Sequence, residues 1–193
     1  MKKIAFILAL AIASLSQNAA AQDMGKQLRF TLGAGLTFGG DKLATASYVN
    51  GGDIDIRAGS MVALTAGVDY RITPEVSLQA LVGYHVDNAS ATNGDVRFQR
   101  FPIELLAYYN VAPQWRIGGG VRYVSSPKLS SSGAAYIGNY TFDDTVSGVL
   151  ETEYAMSNVI GIKVRYVQEE FKHKYSNNKV SGSHAGVFAN FYF

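Results

Sequence analysis

The sequence predicts an eight-stranded, up-and-down antiparallel β-barrel that crosses a membrane. Three observations carry that prediction. Apolar residues recur at every second position over eight segments, the connections between the segments alternate long and short, and the apolar face carries no charge in mid-strand. At 193 residues the chain has one domain's worth of length, and 48% apolar against 17% charged residues exclude a disordered protein. The absence of Cys excludes a disulfide scaffold and any thiolate-based metal or redox site, and no cofactor or metal is expected.

Residues 1–21 place Lys2 and Lys3 before an apolar stretch from Ile4 to Leu15 and end on Ala19-Ala20-Ala21, the three-part layout of a cleaved signal peptide. The apolar stretch is too short for a spanning helix, which needs about 20 residues. Residues 22–193 are therefore expected to form the exported barrel domain. Without Lys2 and Lys3 the 17 basic residues fall to 15, against 15 acidic. A neutral chain has no electrostatic footprint for nucleic acid.

The strands follow in order by the alternation test. The first sets Leu28, Phe30, Leu32, Ala34, Leu36 and Phe38 against Arg29, Thr31, Gly33, Gly35 and Thr37. Val62 to Tyr70 and Val76 to Val86 repeat the split, with Asp69, Arg71, Ser77, Gln79 and His85 on the other face. The fourth strand opposes Phe101, Ile103, Leu105, Ala107 and Tyr109 to Arg100, Pro102 and Glu104, and the fifth opposes Trp115, Ile117, Val121 and Tyr123 to Arg116 and Arg122. Val146 to Tyr154, Ile160 to Tyr166 and Ala185 to Phe193 complete the set, the first two carrying Glu151, Glu153, Lys163 and Arg165 on the polar side. Pro102 lacks an N–H that a closed barrel would use, so a bulge or local irregularity is expected there.

Connections 40–58, 88–95, 127–140 and 172–181 are long, whereas 72–75, 110–114 and 155–158 are short. That alternation places tight turns and both termini on one side of a membrane and free loops on the other. Asn50-Gly51-Gly52-Asp53, between Leu43 to Val49 and Ile54 to Ala58, and Asn93-Gly94-Asp95 are hairpin signals, so strands one to four are expected to extend outward as hairpins.

A soluble eight-stranded barrel would show the same alternation with the faces reversed. Charge decides: Arg29, Asp69, Arg71, His85, Arg100, Glu104, Arg116, Arg122, Glu151, Glu153, Lys163, Arg165 and Glu169 nearly balance and are interleaved with Gly, which suits a narrow lumen. Tyr70, Tyr109, Trp115, Tyr154, Phe191 and Phe193 near the short turns, and Phe38, Tyr84, Phe101, Tyr123 and Tyr166 near the loops, read as two interfacial girdles.

The last segment, AGVFANFYF, alternates back from Phe193. With the strand pattern and the stretch RFPIELLAYYN, it resembles the small eight-stranded outer-membrane barrels of Gram-negative bacteria, the family of OmpX and of the OmpA membrane domain. The resemblance covers the whole exported chain as a pattern. It implies an outer-membrane location among lipid and lipopolysaccharide, periplasmic termini, and a terminal aromatic strand (Phe191, Tyr192, Phe193) read by the barrel-assembly machinery. A monomer is expected.

Chemical candidates each have a bland counterpart. Glu151 and Glu153 should lie beside Lys163 and Arg165, and the interior of eight strands is just wide enough for side chains, favouring a salt-bridge plug over a selectivity filter. Some barrels of this kind are lipid A deacylases or acyltransferases. The deacylase motif resembles His-x-Ser-Asn, but His173-Lys174-Tyr175-Ser176-Asn177 has a spacing of three and no acidic orienter nearby. His85 and Asp87 share a face with Ser77 and Gln79 but point to the lumen, as does His184. Asp53 and Asp55 are too few ligands for calcium alone. No catalytic, cofactor-binding or metal residue is assigned. The expected function is a non-enzymatic barrel with a plugged lumen, serving envelope structure or adhesion to an extracellular ligand through its loops. The alternatives are a lipid A modifying enzyme and a narrow porin-like channel.

Overall fold

The computed structural model describes residues 27–47, 53–91, 94–133, 136, 138–175 and 177–193. The expected leader, residues 1–21, lies outside the described residues. The described residues form fifteen strands and no helix. Eight of them close the barrel: β1 (Leu28–Gly39), β4 (Met61–Arg71), β5 (Val76–Ala91), β7 (Pro102–Ala112), β8 (Trp115–Val124), β11 (Thr145–Ala155), β12 (Ile160–Gln168) and β15 (His184–Tyr192). Each pairs antiparallel with its neighbour in sequence order. β5 pairs with β7 from Val76 opposite Tyr109 to Val82 opposite Ile103, and β15 returns to β1 from Thr31 opposite Tyr192 to Gly39 opposite His184. These are the eight strands of the alternation test, and closure leaves no unpaired edge in the spanning wall.

The short turns are built by side chains that accept backbone hydrogens. Thr73 Oγ1 accepts from Val76 N at 3.0 Å and Ser157 Oγ from Ile160 N at 3.1 Å. The turn between β7 and β8 is tighter than expected, because β7 runs on to Ala112, past a register shift between Asn110 and Ala112.

Pro102 produces no bulge. Val82 opposite Ile103 and His85 opposite Arg100 belong to one continuous register, and only the ladder between them is interrupted. Gly83 makes this possible: a Cβ there would come within 2.9 Å of the Pro102 ring.

The remaining strands continue the wall beyond the barrel at the long-loop end. β2 (Lys42–Ser47) pairs with β3 (Asp53–Arg57), and β5 continues against β6 (Gly94–Arg100) up to Ala91 opposite Gly94, so the arms of both expected hairpins pair, while Asn93 of the second turn signal lies outside the described residues. The residues between Ser47 and Asp53 lie outside the described residues. The third and fourth loops, unassigned by alternation, also contain strands: β9 (Lys128–Gly133), β10 (Tyr140–Thr141), β13 (Glu170–Lys172) and β14 (Lys179–Ser181). β6 pairs with β9, β9 with β10 and β13 with β14, and a bridge between Phe142 and His173 links the last two hairpins. Asp41 then ties β14 to the first hairpin, its N–H donating to Ser181 O at 2.7 Å and its carboxylate accepting from Ser181 N at 2.7 Å.

Polarity inverts between the two storeys. In the barrel the outward residues are apolar, such as Val82 and Leu150, about 60% exposed, while Glu104 and Arg122 are buried. In the cap Ile56, Val96, Phe98, Leu129, Phe142 and Phe171 point inward and are buried, and Arg57, Arg97, Lys128 and Lys172 point out. A wall in lipid must be apolar outside, whereas a wall in water must be apolar inside.

Candidate functional site

The lumen of the barrel holds a continuous chain of ion pairs that alternates sign along the axis. At the short-turn end Asp69 accepts from Arg29 and from Arg116 Nη1 at 2.9 Å. Arg116 also donates to Glu153 at 2.8 Å and to the Tyr192 hydroxyl at 2.7 Å, and its guanidinium lies 4.1 Å from the Tyr108 ring centroid. Lys163 Nζ reaches Glu151 at 3.0 Å, Gln79 at 2.7 Å and the Tyr108 hydroxyl at 2.7 Å. Arg165 bridges Glu151 at 3.2 Å and Glu104 at 2.7 Å, and Arg122 bridges Glu104 at 2.9 Å and Glu169 at 3.1 Å.

The backbone register produces these contacts. Glu151 lies opposite Arg165 and Glu153 opposite Lys163 in the β11–β12 pairing, as the four-residue turn requires. Inward glycines make the room. A Cβ on Gly118 would fall within 2.4 Å of the Tyr108 ring, and one on Gly161 would displace Glu153. Charges taken out of water cost several kcal/mol each unless partners replace the lost solvation, which is why cations and carboxylates alternate here.

Arg100 marks the boundary between lumen and cap. It is fully buried, donates Nη1 to the Ala58 carbonyl, reaches Glu169 at 4.0 Å and lies 4.7 Å from the Phe98 ring centroid. Above it Phe98 packs edge-on against Phe142 and Phe171, each at 5.6 Å.

His85 and His184 fall where the parity put them, but their partners do not form a nucleophile system. Arg122 Nη2, which can only donate, faces His85 Nδ1 at 3.4 Å. That assigns the ring hydrogen to Nε2, which donates to Ser60 O at 3.1 Å and lies 2.8 Å from Thr37 Oγ1. Asp87 accepts from Arg57 N at 2.9 Å instead of orienting His85. His184 stands edge-on to His85 at 5.0 Å and donates Nδ1–H to Gly182 O at 2.7 Å. His173 lies in the cap against Phe142, and Ser176 lies outside the described residues. Asp55 is held by Thr45 Oγ1 at 2.8 Å, with Lys42 at 3.5 Å and Arg57 at 3.8 Å, and the hydroxyl and the two cations keep its carboxyl below the usual aspartate range.

Sequence reasoning missed Asp144. Its carboxylate accepts from Tyr123 OH, Ser126 N (2.9 Å) and Ser126 Oγ (3.3 Å), fixing a turn in which Ser126 has a left-handed φ of 43°. The Tyr123 hydroxyl bond, then the Ser126 backbone, hold the Asp144 carboxyl below its ordinary range. An Asp-Asp pair after a polar loop gives no signal that distinguishes Asp144 from its neighbour Asp143.

The family model of the outer membrane protein beta-barrel domain matches residues 7–193. Among solved structures, Ail, the attachment invasion locus protein of Yersinia pestis, is 9% identical with a TM-score of 0.52, covering 86% of this chain and 97% of its own. Neisserial surface protein A is 12% identical with a TM-score of 0.50, covering 87% and 98%. A second structure of Ail, in complex with the heparin analogue sucrose octasulfate, is 10% identical with a TM-score of 0.50, covering 86% and 97%. At these identities the likeness is one of fold. No curated protein matches in sequence.

Proposed function

The chain belongs to the outer membrane protein beta-barrel domain family and resides in the outer membrane, and we propose that it is a non-enzymatic surface barrel: its lumen is a salt-bridge plug, and its cap is an interaction surface. The observation that carries the reading is the continuous ion-pair chain from Asp69 to Arg100, closed above by Phe98, Phe142 and Phe171. Side chains paired in this way leave neither a file of free charges to escort ions nor a hydroxyl activated by a free base.

The cap favours surface interaction over a purely architectural role. Its apolar core supports a wall whose charged outer face projects beyond the membrane. Ail, which shares the fold, takes a polyanionic heparin analogue. In the same reading residues 1–21 are a cleaved leader, the barrel domain is 22–193, the termini are periplasmic, and the barrel is monomeric. Its last strand, ending in Phe191, Tyr192 and Phe193, serves as the assembly signal.

Planar-bilayer recording tests the plug. Purified protein should add no steady openings, and sustained ion-selective conductance would favour a channel instead. Mass spectrometry of lipid A from cells with and without the protein should show the same acyl number, and a lost or added chain would assign an enzyme.

A further inference from the structure

We propose that the cap carries a binding site for a small molecule with an aromatic or compact apolar body and an anionic end, in the cavity between β2, β9, β10 and β14. The cavity has a volume of about 380 Å³, at the small end of the range of about 300–1,000 Å³ for ligand pockets. Here the apolar core of the cap opens to water. Leu43, Leu129, Phe142 and Val180 form its floor, and Leu129 and Phe142 belong to the buried core itself.

The walls add direction to that apolar floor. Tyr140 and His173 meet edge-on at 5.1 Å, giving an aromatic wall beside the floor. The backbone N–H of Tyr175 donates to His173 Nδ1 at 3.4 Å, which puts the hydrogen of the neutral ring on Nε2, a donor. Lys42 stands at the rim, tied to Asp55 at 3.5 Å by an exposed pair of the kind that is loosened at little cost. Among the described residues that line the cavity there is no carboxylate. A cation would therefore find no counter-charge on the lining and a wholly apolar guest would waste the ammonium. A carboxylate on a small ring satisfies both ends.

The proposal rests on the reading of the cap as the exposed interaction surface, yet the tests separate: loss of this pocket leaves contacts to the outer face of the cap and the bilayer recordings unchanged. Benzoate, benzyl alcohol and benzylamine share one ring and differ in charge, so they form the probe set. They are titrated into the protein in zwitterionic nanodiscs, with empty discs as the control for partition into lipid, and the methyl groups of Leu43, Leu129 and Val180 are followed by NMR. The expected result is saturable shifts with benzoate and binding weaker by about two- to fivefold with benzyl alcohol, the worth of one exposed charge contact, with benzylamine weakest. Lys42→Gln should lower benzoate affinity to that of benzyl alcohol while leaving benzyl alcohol unchanged. Val180→Phe should abolish both, with barrel methyl signals reporting that each variant is folded. Failure of benzoate to saturate these methyls, equal affinity for the three probes, or unchanged benzoate binding in Lys42→Gln would overturn the proposal.

Discussion

Glu104→Gln tests the lumen at a carboxylate that bridges two guanidinium groups. Glu104 is 2% exposed and accepts from Arg165 at 2.7 Å and Arg122 at 2.9 Å. The amide keeps the shape but removes the charge and turns one acceptor into a donor that faces a guanidinium, which has only donors. Breaking a buried pair by removing one partner costs about 3–5 kcal/mol. Arg122 retains Glu169 at 3.1 Å and Arg165 retains Glu151 at 3.2 Å, so neither cation is stranded and the lower figure of about 3 kcal/mol applies. In urea unfolding from lipid vesicles, with a slope of about 1–3 kcal/mol/M, the midpoint should fall by about 1–3 M. Leu105→Ala, one residue along on the outward face, should leave the paired network intact in the same assay. A Glu104→Gln midpoint within about 0.3 M of the parent would refute the reasoning, because only charges already solvated by water lose so little on unpairing.

The cap should respond independently of the barrel. Phe98→Ala removes a fully buried ring packed against Phe142 and Phe171, a change that costs about 3–5 kcal/mol in a packed core, and amide exchange should accelerate in β6 and β9 while β11 and β12 keep their protection. The Asp144 turn should be acid-sensitive. Its folded carboxyl titrates below the ordinary aspartate value of about 3.9, so its contribution is present above that value and is lost as pH falls through the folded value. The Ser126 amide should therefore lose protection at low pH, and Asp144→Ala should abolish that dependence.

The spanning wall was legible because lipid on one side and packed charges on the other impose a period of two over nine residues or more, as along Leu28 to Phe38 and Val146 to Tyr154. The parity that faces Arg165 toward Glu151 follows directly from a short turn. The cap strands were less legible. β9 offers one apolar inward residue, Leu129, and β13 one, Phe171, too few for alternation to register. Of the bulge or local irregularity expected at Pro102, the structure has the second, a gap in the ladder, because Gly83 lies across the strand pair and yields the space that a bulge would otherwise provide. The edge-on contact of His85 with His184 joins the third strand to the last, and spacing along the chain carries no trace of such a contact. The closure of the cap by Asp41 and Ser181 is hidden for the same reason.

The direction of the two faces can be read with a single fluorophore. Trp115 is the only tryptophan, so Trp115→Phe with Leu105→Trp places one indole on the outward face of β7, where Leu105 is 55% exposed. In vesicles of lipid brominated along the acyl chains its emission should be strongly quenched, while aqueous acrylamide should have little effect. Efficient quenching by acrylamide with no response to bromine would put that face in water and contradict the account.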